Sequence, residues 1–256
     1  MIARTVVAAA ASLAVGLASA GCISFTEIAV ETPITAKLDV TPFQRVLVAG
    51  FVGGGSRSLD ASAETARLLR SQLRSKSTLR VIDADTINLV EELDRRRQGQ
   101  AAASADSAST APRIETEKDL EAFDQIFSDA EYWKKIGAEH QGPLIITGTV
   151  LFSEVSRSGM ISKPRPVVNQ LGQTVYEERR EFANQKGFSL APKFIFIDGR
   201  TGQQLHSETF LEEALYNDSV NTPALSSYFV LMDKLLPGFL NTLSTQKIRG
   251  TRILVR

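Results

Sequence analysis

The chain has 256 residues, of which 43% are hydrophobic, and its 29 basic side chains balance its 29 acidic ones. It contains one cysteine and two histidines. One cysteine excludes an intramolecular disulfide and any cysteine-rich zinc or iron–sulfur site, and two histidines leave little material for a histidine-based metal site. Zero net charge gives no electrostatic footprint for nucleic acid. We therefore expect no cofactor, no metal and no nucleic-acid partner.

Residues 1–21 have the features of an export signal. One basic residue, Arg4, precedes an apolar run from Val6 to Ala18, which is too short to span a bilayer comfortably. The run ends in Ser19-Ala20-Gly21-Cys22. Small residues before a cysteine are similar to the lipobox of bacterial lipoproteins, although a leucine usually stands where Ser19 lies.

The resemblance to lipoproteins implies that Cys22 is the lipidation site. In that family the peptide before the cysteine is removed, and palmitate-type acyl chains on the cysteine hold the protein in the membrane. Ile23, rather than an aspartate, follows Cys22, and the sorting rule of the family then implies the periplasmic face of the outer membrane. The alternative is an ordinary secretory signal, cleaved after residue 18, 20 or 21, which leaves a free thiol.

Residues 22–44 predict an extended, lipidated tether with room for an edge strand, because they lack helical periodicity and contain two prolines. Strands are predicted at 45–51 and 78–82, with a Gly53–Ser56 turn after the first. Helices are predicted at 60–75 and from about 83 to 97. Residues 98–112 form a low-complexity segment, which predicts a disordered loop.

The second half is richer in strands. Helices are predicted at 117–127 and 128–140, before the clearest strand, 144–152. The polar residues 155–186 predict a long hairpin or loop, and strands follow at 187–197 and 203–212. An apolar helix at 223–243, broken or kinked near Pro237, precedes a short strand at 249–256.

This order of elements predicts an α/β fold in which helices pack on a mixed β-sheet in two or three layers. We expect residues 45–256 to form that domain, which is long enough to bury a proper core. Four segments then resemble one group of proteins: RVLVAGF, LRVID, LIITGTVLFSEV and FIFIDGRTGQQLHSETF. The group comprises CsgG, the amino-terminal domain of TolB and the LpoB-like lipoprotein activators of penicillin-binding proteins.

The resemblance implies two functions, while a third, a hydrolase, is disfavoured because no catalytic arrangement can be argued from the residues. The first is a binding or assembly module of the cell envelope without enzymatic activity, attached to membrane lipid through Cys22, with an envelope protein or a second copy of itself as partner. The alternative is a subunit of a CsgG-like outer-membrane secretion channel. A lipid-facing strand needs an apolar outer face, whereas both alternating faces of residues 173–188 carry charge, so the sequence favours the first function.

Few side chains suggest chemistry. Gly53–Ser56 lacks the Gly-Lys-Ser/Thr ending of a phosphate loop, so a simple turn is favoured over phosphate binding. His140 lies at a helix end and His206 on a strand, and nothing places either beside Asp198 and a serine. Paired glutamates such as Glu91-Glu92 fit solvated faces, and Trp133 fits the core.

The basic segment around Lys163 and Arg165, with Arg179 and Arg180 further along, is the candidate partner-binding surface. Its alternating prolines indicate an extended, exposed chain. An anionic cell-wall polymer or a protein would suit it as partner, while a solvated loop remains the plain alternative.

Overall fold

The computed structural model describes residues 25–101, 114–217 and 222–255. The predicted signal peptide, Cys22 and residues 102–112 of the low-complexity segment lie outside the described residues. The strands are β1 (Phe25–Ile34), β2 (Arg45–Gly55), β3 (Arg80–Val81), β4 (Leu144–Val168), β5 (Thr174–Asp198), β6 (Gln204–Thr209), β7 (Glu212–Asn217) and β8 (Gln246–Val255). The helices are α1 (Ala61–Lys76), α2 (Leu89–Ala101), α3 (Glu117–Glu121), α4 (Asp124–Phe127), α5 (Ala130–Glu139) and α6 (Ala224–Leu243).

The chain divides into two units. Ala36–Ser244 form one unit, called the body here. The other contains β1 and β8, which pair antiparallel from Phe25 opposite Val255 to Ile34 opposite Gln246. We call this two-stranded sheet the ribbon. The division differs from the predicted single domain 45–256, because the last strand belongs to the ribbon and the body begins before the predicted boundary.

The body is built on one mixed sheet with the strand order β3-β2-β4-β5-β6 and with β7 also paired to β5. β2 is parallel to β3 and β4, whereas β5 is antiparallel to β4, β6 and β7. This confirms the predicted α/β class and its mixed sheet.

Helices cover both faces of the sheet, which makes three layers. Alternate residues of β2 point to opposite sides: Val46 and Val48 join the apolar cluster formed with α1 and α6, while Leu47 joins the cluster formed with α2 to α5. A strand that is buried on both faces must be apolar throughout. This requirement explains the continuous apolar run that marks β2 in the sequence.

Several predicted boundaries are corrected by the structure. Gly53–Gly55 form the end of β2 rather than a turn, since they pair with Val150–Phe152 of β4. The predicted helix 117–127 is two short helices, α3 and α4, and β7 is an additional strand. Of the predicted break or kink near Pro237, a break does not occur: α6 is continuous through Pro237, with buried leucine and phenylalanine side chains before and after it.

Candidate partner-binding arm

The most prominent surface feature is the hairpin of β4 and β5. The two strands pair without a register shift from Leu144 opposite Asp198 to Val168 opposite Thr174. The neighbouring strand β2 pairs with β4 only as far as Phe152. The neighbouring strand β7 pairs with β5 only as far as Gln185. We call residues 158–184, beyond both neighbours, the arm. Its eleven residues per strand span about 37 Å at about 3.4 Å per residue.

The turn at the tip of the arm is organised by one asparagine. The Asn169 side-chain oxygen accepts backbone N–H bonds from Leu171 at 3.0 Å and from Gln173 at 2.9 Å. The backbone N–H of Gly172 donates to the Asn169 carbonyl at 3.0 Å. Gly172 has a φ of +73°. Asparagine and glycine are favoured here because they form side-chain turns and tolerate positive φ. The predicted long hairpin at 155–186 is therefore present.

The four predicted partner-binding residues all lie on the arm, but on two faces. Lys163 lies directly opposite Arg179, and Arg165 is two positions along the same strand. Arg180 lies opposite Ser162, one residue along the strand from Arg179, and successive side chains of a strand point to opposite faces. Arg180 therefore belongs to the other face. The structure brings three of the four residues together and separates the fourth from them.

Acidic side chains accompany the three basic residues. The Lys163 ammonium forms an ion pair with Glu181, and this contact lowers the pKa of the Glu181 carboxyl. Arg165 lies directly opposite Glu177. Cross-strand neighbours of opposite charge attract each other, so this face carries mixed charge rather than a basic patch. We call it the charged face.

The opposite face exposes large apolar side chains that no sequence motif marks. Met160 lies directly opposite Phe182, and the two are 64% and 66% exposed. Tyr176, across from Pro166, is 73% exposed. We call this the apolar face. The apolar face could have been identified from the sequence if the hairpin turn had been placed at residues 169–173, because that turn sets Met160 across from Phe182.

The glycine segment does not form a phosphate loop. It borders a cavity of about 510 Å³ beside the start of α1. The backbone N–H groups of Gly55 and Ser56 donate to carbonyls within the body, at 2.9 and 2.6 Å. The Asp60 carboxylate caps α1 by accepting the Ala63 N–H at 3.0 Å. These N–H groups already have acceptors, and the negative charge of Asp60 lies at the start of the helix. Both features disfavour binding of an anion in this cavity.

The two histidines are not brought into a catalytic arrangement with Asp198. His140 follows the last residue of α5. His206 lies on β6 with its Nε2 atom 3.5 Å from a Glu208 oxygen, while both oxygens of Asp198 bind the Arg200 guanidinium at 3.0 Å. In the part of the chain that the structure describes, no group of three histidine, cysteine or acidic residues could hold a metal ion.

The remaining candidates have structural surroundings. Trp133 is fully buried and its Nε1–H donates to the Ile126 carbonyl at 2.8 Å, as expected of a core residue. Glu92 of the predicted solvated pair contacts Arg95 at 2.6 Å and Arg96 at 3.2 Å. Among residues 25–101, 114–217 and 222–255, no helix is both long and apolar enough to cross a bilayer.

Comparison with known proteins gives little similarity. No protein-family model matches the chain, and no curated protein is significantly similar to it. Among solved structures, the chain is similar to lipoprotein GNA1162 from Neisseria meningitidis, with 11% sequence identity and a TM-score of 0.34. The match covers 77% of this chain and 98% of that one. A likeness of this size carries no conclusion about fold or function.

Proposed function

We propose that this chain is a membrane-anchored lipoprotein of the periplasmic face of the outer membrane, without enzymatic activity, and that its arm binds a protein of the cell envelope. The observation that carries the proposal is the arm, because two paired strands extend beyond the neighbouring strands β2 and β7 and expose Met160, Phe182 and Tyr176 on one face. Exposed apolar patches on folded proteins often mark interaction sites.

The chemistry of the arm favours a protein partner over an anionic polymer. Three of the basic side chains share their face with Glu177 and Glu181, which reduces the attraction of that face for anions. The apolar face instead offers a thioether, an aromatic ring and a phenol at Met160, Phe182 and Tyr176. Methionine and aromatic side chains are enriched in the centres of protein interfaces. We therefore assign the partner to the apolar face.

Recovery of bound proteins from the native envelope tests this assignment. The tagged full-length chain should recover a reproducible envelope protein, and the double substitution Met160→Ser and Phe182→Ser should reduce the recovered amount by at least about tenfold, as loss of central interface side chains commonly does. Val175→Ser is the matched control, because Val175 is a 39%-exposed apolar residue on the charged face.

Two results would contradict the assignment. Failure to recover any reproducible partner with the unaltered chain would contradict partner binding itself. If the charge reversals Lys163→Glu, Arg165→Glu and Arg179→Glu abolish recovery while the double serine variant retains it, the charged face is the binding surface.

The anchor is a separate part of the proposal and rests on the sequence. Mass spectrometry of the mature protein should show an acylated amino-terminal Cys22, and Cys22→Ser should release the protein into the soluble fraction. Several acyl chains make such an anchor effectively permanent, given about 0.8 kcal/mol per buried CH₂. An unmodified terminus after residue 18, 20 or 21 would contradict lipidation, and fractionation with the inner membrane would contradict the outer-membrane assignment.

One observation favours the secretion-channel subunit as a second candidate. Among the described residues no strand pairs with the outer edge of the arm on either side, and unpaired strand edges can join edges of other copies. Charge on both faces counts against a lipid-exposed position, since Arg180 and Glu178 share the face of Phe182. Electron microscopy of detergent-extracted protein separates the candidates: rings support the channel, and monomers contradict it.

A further inference from the structure

We propose that one face of the ribbon is a second membrane contact, which lies against anionic lipid headgroups next to the acyl anchor. The inference rests on the proposed lipidation of Cys22 for its setting, and it goes beyond it by assigning a lipid-binding role to named residues of β1 and β8. The argument uses the position of the ribbon in the chain, its charge and the distribution of side chains between its faces.

Chain geometry places the ribbon next to the anchor. Cys22 is three residues before Phe25, so an acylated Cys22 would hold the start of β1 within about 11 Å of the headgroups, at no more than about 3.6 Å per residue. Phe25 lies opposite Val255, so the end of β8 shares that position. Arg252 is three residues from Val255, a further distance of about 10 Å along the strand.

The two chain segments that contain the ribbon carry a net positive charge, which suits an anionic surface. Residues 23–35 and 245–256 contain four basic and two acidic side chains, whereas residues 36–244 contain 24 basic and 27 acidic ones. The basic excess is therefore concentrated in the part of the chain nearest the proposed anchor. Anionic membranes attract such groups by about 1 kcal/mol for each lysine or arginine near the surface.

The two faces of the ribbon differ in their charged groups, because one holds acidic and basic side chains together and the other holds Arg252 without an acidic residue. Glu27 and Glu31 lie on one face of β1, where Glu31 binds the Arg249 guanidinium at 2.9 Å. The other face holds Ile28, Val30 and Ile34, with Arg252 directly opposite Ile28. Ile28 is 42% exposed, and Arg252 is exposed with no acidic partner among the described residues.

The face with Ile28 and Arg252 therefore combines one exposed and two half-buried aliphatic side chains with an available cation. It lacks the two acidic residues, which share the other face with Ile253. Aliphatic groups at the headgroup boundary, together with a guanidinium that reaches lipid phosphates, are the combination by which amphipathic segments bind a membrane surface. Acyl chains alone hold a protein at the membrane but allow it to rotate, so this contact would fix the orientation of the ribbon relative to the membrane.

Vesicle binding by unacylated protein tests the inference independently of the anchor. Residues 23–256 keep every described residue and lack Cys22. At low ionic strength this protein should sediment with phosphatidylglycerol vesicles, bind phosphatidylcholine vesicles at least about fivefold more weakly, and lose binding as salt is added.

Substitutions then locate the contact. Arg252→Gln should weaken binding to phosphatidylglycerol about fivefold, which corresponds to the loss of one surface charge, and Arg252→Glu should weaken it by more than tenfold. Arg80→Glu is the matched control, because Arg80 is an exposed arginine on β3 of the body. It should leave binding within about twofold of the unaltered protein.

Three outcomes would overturn the inference: equal binding to both lipids, no binding to either, or equal effects of Arg252→Glu and Arg80→Glu. None of these outcomes bears on Cys22, whose acylation is measured by mass spectrometry on the exported protein. An unmodified Cys22 with intact Arg252-dependent binding would contradict lipidation alone.

Discussion

Two glycines on the same strand, Gly148 and Gly159, have opposite surroundings. Gly148 has a φ of +144°, and a Cβ atom there would lie 1.8 Å from the carbonyl oxygen of Lys193 on β5. Gly159, on the arm, has no atom of the described residues within 4 Å of a Cβ atom and no positive φ. A side chain at Gly148 therefore meets both a steric and a conformational barrier, whereas one at Gly159 meets neither.

We expect Gly148→Ala to lower the free energy of unfolding by about 3 kcal/mol or more, because overpacking and a strained φ each cost about 1–3 kcal/mol. Gly159→Ala should leave it unchanged or raise it by up to about 1 kcal/mol, since alanine restricts the unfolded chain. Urea unfolding of both variants measures the difference. Equal stability of the two would show that the sheet shifts to accept the methyl group at residue 148.

The turn after β5 depends on one buried carboxylate. Burial by itself raises the pKa of Asp198, but the hydrogen bonds and charge of Arg200 outweigh it and hold the pKa below the usual 3.8. A group whose pKa is lowered by folding stabilises the fold above its unfolded pKa, and this contribution is lost as the pH falls through the folded pKa. The contribution of Asp198 is therefore complete at neutral pH and declines below about pH 4.

Asp198→Asn should lower the free energy of unfolding by about 1–3 kcal/mol at pH 7, because the Arg200 contacts lose their charge. The difference between the two proteins should shrink as the pH falls below about 4, as thermal unfolding at several pH values would show. Asp83→Asn, which removes a mostly exposed partner of Arg74, should change stability by at most about 1 kcal/mol at either pH. A difference for Asp198→Asn that stays constant down to pH 2 would contradict the role of ionisation.

At the scale of elements, β4 and β5 each have two parts with different support. Residues near Ile145 and Ile195 are fully buried between helical layers, whereas the arm is paired on one edge only and has no layer above or below it among the described residues. A two-stranded hairpin alone is marginally stable in water. We therefore expect the arm to open locally while the rest of the same strands stays folded.

Hydrogen exchange measures this directly. Amides of the arm should exchange at least about 100-fold faster than amides of residues 144–150, which lie on the same strand, because local opening requires much less free energy than global unfolding. Binding of the proposed partner to the apolar face should slow exchange in the arm and leave residues 144–150 unchanged. Equal protection along all of β4 in the free protein would show that something else covers the arm.

The elements that could be predicted are those whose sequence pattern reflects local packing. β2 and the first part of β4 are apolar because both faces are buried, and α1 shows its apolar stripe. The end of β2 was missed because three glycines resemble a turn until Phe152 of β4 is known to lie beside them. The apolar face of the arm was missed because Met160 and Phe182 are 22 residues apart, and only the register of the hairpin joins them.

For the whole molecule, the boundary between the units lies where the apolar contacts of the body begin and end. Among the residues whose burial the structure describes, both apolar clusters consist of residues between 36 and 244. Within that range, the Leu38 N–H donates to the Thr242 carbonyl at 2.9 Å, and Phe43, 6% exposed, lies with its ring 4.8 Å from the Arg200 guanidinium carbon. The sequence could not show this, because residues 36–44 have neither helical nor strand periodicity, and the partners of Leu38 and Phe43 lie more than 150 residues further along the chain.

This boundary leads to a prediction about truncated chains. Residues 36–244 should fold alone and unfold within about 2 °C of residues 23–256, because truncation removes no member of either cluster. Residues 45–244, which begin where the sequence places the domain, should unfold about 10 °C lower. That shift follows from losing a buried phenylalanine, which costs about 3–5 kcal/mol, at about 2–4 °C per kcal/mol for a chain of this size.

Circular dichroism during heating measures the unfolding temperatures of all three proteins. Equal unfolding temperatures for the two truncations would show that residues 36–44 add nothing to the core, and failure of residues 36–244 to fold would show that the body requires the ribbon.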